Sequence, residues 1–281
     1  MTFRKLARRL TPIQLRCRDM WWFLRRVLRL HEKFPGNEKL SVVLLSYRRM
    51  KNLHRIVDSL LLCDFVGEII LSNNNPEVRM ENFVRVRDPR LRIINQPARR
   101  FPSCRYDLAR ELPARYFMSI DDDLFLTPRQ VRKLFMTLIE NPSIPHGAGG
   151  EGLTVEAGKV VSRRIVYGEG RETDVILWAY AFTREHLLKY FALIDRLGID
   201  NGDLKVSEDV VISFSGNGRA RCEDLGRMLC CPSASDREIA TWRQDDFYEH
   251  RDRLYLQCRN AAAAGSGTGK GKRKGSVLLE K

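Results

Sequence analysis

Between residues 40 and 140 the chain repeats one pattern: an apolar run of strand length, a polar turn, then a segment with helical period. "KLSVVLLSY" leads into "MKNLHRIVDSLLLC", where Leu53, Ile56, Val57, Leu60 and Leu61 recur at helical spacing. "VGEIILSNNNP", "LRIINQP" and "RYFMSI" supply three more apolar runs, with "CRYDLARELPA" as a short helix before the last. Thr127-Pro128 reads as N-cap and first residue of a further helix, "PRQVRKLFMTLIEN". Runs too apolar to alternate are strands buried on both faces. Separated by helices, they predict an α/β fold: a Rossmann-like, mostly parallel sheet with helices on both faces.

Sheets of this kind bind ligands beyond the C-terminal ends of their strands. The polar punctuation falls there: Ser46 to Arg49 after the first run, Ser72 to Asn75 after the second, and Asp121, Asp122 and Asp123 after "RYFMSI". Carboxylates this close raise one another's pKa unless a cation sits among them. Mg²⁺ or Mn²⁺ takes oxygen ligands, typically one or two carboxylates plus substrate phosphates. In an extended segment Asp121 and Asp123 would share a side, making an Asp-x-Asp metal-and-ligand pair with Asp122 opposite. A solvated acidic turn that helps cap the next helix is the plainer alternative; the Arg- and Asn-bearing sibling loops favour the metal.

The 281 residues carry a formal charge of +14, which would suit a polyanion-binding protein. Its distribution argues otherwise. Residues 1–36 hold ten Lys/Arg against two acids, and residues 259–281 hold six against one, leaving residues 37–258 an excess of a single positive charge. A nucleic-acid-binding domain carries its basic footprint on the domain itself, so nucleic acid is not expected as a partner. Three parts follow: a basic N-terminal segment (1–36), an α/β body (37–258), and a Gly/Ser/Lys-rich tail (259–281) expected to be disordered or a remnant of expression. From Ile13 to Leu30, apolar residues at helical spacing alternate with Arg. That composition suits an amphipathic helix on an anionic membrane, or equally a helix packed on its own domain. With no signal-peptide core and no membrane span, the expectation is a cytoplasmic protein, peripheral at a membrane. Seven cysteines without a CxxC pair read as free, mostly buried thiols.

The remaining body adds a glycine cluster, "HGAGGEG", without dinucleotide or Walker spacing. It is followed by "TDVILWAYAFTREHLLKYF", a strand entering a helix, and by the acidic pair Glu208-Asp209 ahead of "VVISF". Such a pair can simply complement a helix dipole. "TWRQDDFYEHRDRL" sets Asp245, Asp246, His250 and Arg251 among aromatics.

Taken in order, "SYRRM", "SNNNPE", "CRYDLAREL", "SIDDD", "LWAYAFT", "SEDVVISF" and "YEHRDRL" resemble the nucleotide-sugar glycosyltransferases of the GT-A fold, most closely the exostosin-like family, over about residues 40–258. The resemblance implies transfer of a sugar from a UDP-sugar donor to a hydroxyl acceptor with retention, using manganese held by the Asp-x-Asp loop. By position it implies Arg49 and Arg105 as nucleotide or phosphate contacts, and Asn74 as the residue meeting uridine. It makes Asp123 a metal ligand, with Asp121 and Asp122 facing ribose and donor sugar. Asp209, beside Glu208, becomes the carboxylate at the reacting centre, and Arg251 meets the diphosphate. Ser207 stands where the family often has cysteine, and Phe247 where it often has histidine, with His250 close by. An inverting enzyme with Asp209 as general base is the nearest alternative. A nucleotidyltransferase would need a Gly-rich, Lys-bearing loop that "SYRRMKN" lacks. The alternative from another class is a nucleic-acid or anionic-membrane binding module with an inert α/β body.

Overall fold

The computed structural model describes residues 12–28, 30–200, 202–231, 241–243 and 246–267. Residues 1–11, Asp245 and residues 268–281, which the sequence reading touched, lie outside that set. Helix α1 (Pro12–Val27) comes first, and then the alternation predicted from sequence. It runs β1 (Leu40–Ser46), α2 (Leu53–Leu61), β2 (Val66–Asn73), β3 (Leu91–Asn95), α3 (Cys104–Arg110) and β4 (Tyr116–Ile120). After the aspartates come the short β5 (Leu124–Phe125) and α4 (Pro128–Glu140). The second half is β6 (His146–Glu156), β7 (Lys159–Tyr167), β8 (Arg171–Glu172), β9 (Val175–Thr183), α5 (Arg184–Leu197), α6 (Glu208–Ser213), β10 (Arg221–Cys222), β11 (Leu229–Cys230) and α7 (Phe247–Gly267).

Among the described residues, nine strands form one sheet in the order β3-β2-β1-β4-β9-β6-β10-β8, with β7 hairpinned onto β6. β1 to β4 pair in parallel; β9 inserts antiparallel between β4 and β6, and β10 runs parallel to β6. Six of the nine strands therefore share a direction, and only β7, β8 and β9 oppose it. β5 and β11 make a separate antiparallel ribbon.

The period-2 alternation of side chains divides β1 between two cores. Leu40, Val42 and Leu44 join one face with Leu53, Ile56 and Leu60 of α2 and Val131, Leu134 and Phe135 of α4. Val43 and Leu45 join the other with α3, α5, α6 and α7 through residues such as Tyr106, Leu187, Val211 and Leu254. Burial on both faces is why these strands carry no polar alternation. α4 starts as its sequence predicts: the Thr127 hydroxyl accepts from the Gln130 amide, and the Gln130 side chain accepts from the Thr127 amide at 2.9 Å. The glycine cluster is the buried first half of β6, where glycine permits close approach: a Cβ on Gly149 would meet the Trp178 ring at 2.2 Å. α7 continues past Cys258 to Gly267, so the first residues of the segment expected as a tail are helical. Ala261 to Ala264 supply the helix propensity for that extension. No helix among the described residues is long and apolar enough to cross a membrane.

Candidate functional site

Sheet order explains why loops far apart in sequence meet. Because β4 pairs parallel to β1, the loop after β1 lies against the loop after β4. Arg49 Nη1 reaches Asp122 Oδ1 and Asp123 Oδ2, each at 3.1 Å, and Asn52 Nδ2 donates to the Asp122 carbonyl at 3.1 Å. Because β2 flanks β1 on its other side, Ser46 lies opposite Asn73, and the Asn74 amide donates to the Ser46 carbonyl at 2.7 Å. Asn74 is buried, and its side-chain amide donates to the Arg100 carbonyl and to Cys104 Sγ. It shapes the wall that leads to Arg105 and stays apart from the carboxylates.

Arg105 joins two halves of the site. Its guanidinium donates to Asp121 Oδ1 at 3.2 Å, to Ser119 Oγ at 2.6 Å and to the Tyr180 hydroxyl at 3.1 Å, and lies 3.6 Å from Glu208 Oε1. The acidic pair at the start of α6 is thereby brought to the aspartates after β4. Next to Glu208, Asp209 Oδ1 accepts from Arg251 Nη1 at 2.6 Å, and Arg251 Nη2 sits 3.3 Å from Glu151 Oε2. Arg163 closes this end, 2.6 Å from Glu151 and 2.5 Å from Asp252. The expected residues Arg49, Arg105, Asp121, Asp122, Asp123, Glu208, Asp209 and Arg251 thus form one connected cluster. His250 does not join it: its ring faces Asp246 and Arg253, while Phe247 lies under Arg251 at 5.3 Å.

Two features depart from the sequence reading. The aspartates do not extend the strand: Asp122 and Asp123 form a turn. Arg49 therefore takes Asp122 with Asp123, and Arg105 takes Asp121, in place of the Asp121/Asp123 pairing by alternation. The chain must reverse here to enter β5, which removes the extended geometry that alternation needs. Glu151, 3 % exposed at the centre of the Arg251 network, was not singled out. Its only signal is a carboxylate among the glycines in the buried first half of β6.

Carboxylates outnumber the guanidinium groups they touch, and burial makes this costly. Burial pushes Asp123 up to about 7 although Arg49 pulls the other way, and Glu208 up to about 7 against Arg105. Asp121 and Asp209 are also raised, by burial first, with Arg105 and Arg251 respectively opposing. The buried polar atoms Ser46 Oγ, Arg49 Nε and Ser207 Oγ meet no partner among the described residues, an unmet demand of the kind a ligand satisfies. Among the described residues, no three His, Cys, Asp or Glu side chains converge as a metal cluster. A divalent cation nevertheless fits the chemistry, since Asp121 to Asp123 supply hard oxygen ligands with negative charge left over, and such ions complete their shell with substrate phosphates. Beside the cluster, Trp178 is held at φ 71°, a left-handed backbone that bulky residues avoid, and its carbonyl accepts the Asp121 amide at 2.9 Å.

No protein-family model matches the chain, and no curated protein matches its sequence. Among solved structures, GalNAc-T7 crystallised with UDP, GalNAc and Mn²⁺ is similar at a TM-score of 0.53 and 12% identity, over 70% of this chain and 44% of that one. The fold is of the GT-A type. The chain spans less than half the length of that relative, and at this identity the likeness concerns fold alone. A CMP:2-keto-3-deoxy-manno-octonic acid synthetase complexed with CTP aligns over 56% of this chain and 78% of its own at 12% identity, with a TM-score of 0.39 that is too low to support an argument.

Proposed function

We propose that the protein is a nucleotide-sugar-dependent glycosyltransferase of the exostosin-like kind, moving a hexosyl group from a UDP-sugar to a hydroxyl acceptor with retention. The observation that carries this reading is the Arg105 bridge, which holds the donor-loop carboxylates and the α6 acidic pair in one cluster beyond β1, β2 and β4. In this reading Asp123, on the turn beside Asp122, would hold Mn²⁺ or Mg²⁺, which would neutralise charge on the donor diphosphate, while Asp121 stays with Arg105. Arg49 and Arg251 bind the phosphates and stabilise the charge that grows on the leaving group. Asp122 faces the donor sugar, and Asn74, through the wall it sets, borders the base. Asp209, fixed by Arg251, places negative charge beside the anomeric carbon, and Glu208 is the carboxyl able to exchange a proton near neutrality.

An inverting transferase with Asp209 as general base is the second reading, favoured by the raised pKa of that carboxyl. Its 2.6 Å bond to Arg251 favours the positioning role instead.

Hydrolysis of a panel of nucleotide sugars, with and without Mn²⁺, tests the proposal, and the anomeric configuration of the product separates the two readings. Asp123→Ala should abolish turnover and metal-dependent UDP binding while leaving the melting temperature within a few degrees, because it removes a loop carboxylate rather than core volume. Metal-dependent UDP affinity retained in that variant would remove Asp123 from the metal site.

A further inference from the structure

Helix α1 is fastened to the body along one line. Trp22 is 3% exposed, and the Asp19 carboxylate grips Arg55 of α2 with two bonds of 2.7 and 2.8 Å. The rest of its surface is unusual for a helix facing water. Ile13 is 74% exposed, Met20 60%, Trp21 57%, Phe23 60%, Leu24 42% and Val27 62%. At about 100° per residue, Ile13, Met20, Leu24 and Val27 fall opposite Trp22, together with the exposed Cys17. Trp21 and Phe23 stand about 100° to either side of Trp22, one at each edge of the arc, with the exposed Arg16 between Phe23 and Val27. Just past the helix, Leu28 and Leu30 are exposed as well.

Charge identifies the occupant of this face. Of the two acids in residues 1–36, Asp19 is held by Arg55 and Glu32 lies 3.1 Å from Arg132, so neither offsets the ten Lys/Arg of the segment. An apolar arc this broad exceeds the narrow seam of a two-stranded coiled coil. Trp21 at one edge suits the depth of lipid headgroups, where its apolar ring body and its indole N–H are both accommodated. We propose that α1 is a membrane-docking helix that lies in the plane of a bilayer rich in acidic lipid, with Ile13, Met20, Leu24 and Val27 inserted and the basic segment against the headgroups.

Co-sedimentation of the full chain with vesicles tests this without reference to transfer chemistry. Vesicles of phosphatidylcholine with about 30% phosphatidylserine should retain the protein, and pure phosphatidylcholine should retain about tenfold less. Raised salt should weaken the binding, and tryptophan fluorescence should shift to the blue as Trp21 enters the interface. Leu24→Glu with Val27→Glu should lower retention about tenfold or more with the melting temperature unchanged, since both side chains already face solvent. Should that pair unfold the protein, Met20→Ser alone, a gentler change at the centre of the arc, should still reduce retention and the blue shift. Failure to bind acidic vesicles overturns the proposal, as does binding that these variants leave intact. A dimer in light scattering that the double variant dissociates, without vesicle binding, would assign the face to a second copy of the chain.

Discussion

Arg105 does the work of a hinge pin: buried, with partners on four sides, it decides that the aspartates after β4 and the acidic pair of α6 belong to one site. The carboxyl it fails to neutralise fully is Glu208, which burial holds up to about 7 against an ordinary 4.5. The sign follows directly. Below about 4.5 Glu208 is protonated folded or unfolded, and between there and about 7 the unfolded chain gives up the proton while the folded one keeps it. Its contribution to stability is therefore complete at acid pH and lost as pH rises through 7. The size is about 3 kcal/mol for a shift of this kind. Asp123 behaves alike, and Asp121 and Asp209 are raised in the same direction, so melting temperatures measured from acid to alkaline pH should fall across this window, and Glu208→Gln should remove part of the fall. An undiminished slope in that variant would mean that Glu208 is already charged when folded. Part of this set was legible because strand-end loops of a parallel sheet must converge, which made Arg49 and Asp121 to Asp123 candidates; Arg105, Asp209 and Arg251, the last inside α7, took their place in the site only from the family resemblance. Glu151 was not, because its partner Arg251 lies 100 residues away, and a lone carboxylate in a glycine-rich run carries no spacing to read.

At the scale of elements, apolar periodicity located β1 to β4, α2, α3 and α4, since burial on two faces and on one stripe leave different periods. Strand direction was beyond it: "VILWAYAF" reads the same whether β9 runs with β4 or against it, and only pairing settles that. The caps were legible too, but their reach was not. Gln130 completes the capping box of α4, and its Nε2 also donates to the carbonyls of Leu225 and Arg227, each at 3.0 Å. Thr127→Ala should cost about 1 kcal/mol as a lost cap. Gln130→Ala should cost about 1–2 kcal/mol more, because two carbonyls beside a buried side chain lose their donor. Urea denaturation of the two variants decides between a local and a bridging role, and equal losses would reduce Gln130 to a cap.

For the whole molecule, the placement of β9 has a consequence in time. During synthesis β1 to β4 emerge first, and β4 then presents a bare edge whose closing strand is made only after α4, β6 and β7. An open edge on a sheet apolar on both faces is a template for wrong pairing, so a nascent chain stopped before Val175 should need shielding that the finished chain does not. The same strand supplies the Trp178 carbonyl that receives the Asp121 amide, so the aspartate turn cannot settle until the second half has docked. Native-state hydrogen exchange would read this: the Asp121 amide should open with the free energy of Ala179 and Ala181 in β9, rather than with that of Val43 in β1. Exchange of Asp121 in step with β1 would mean the turn forms unaided. A protein assembled in this order keeps the three aspartates from their final places until translation has passed β9, so a chain truncated before that strand would lack the assembled cluster.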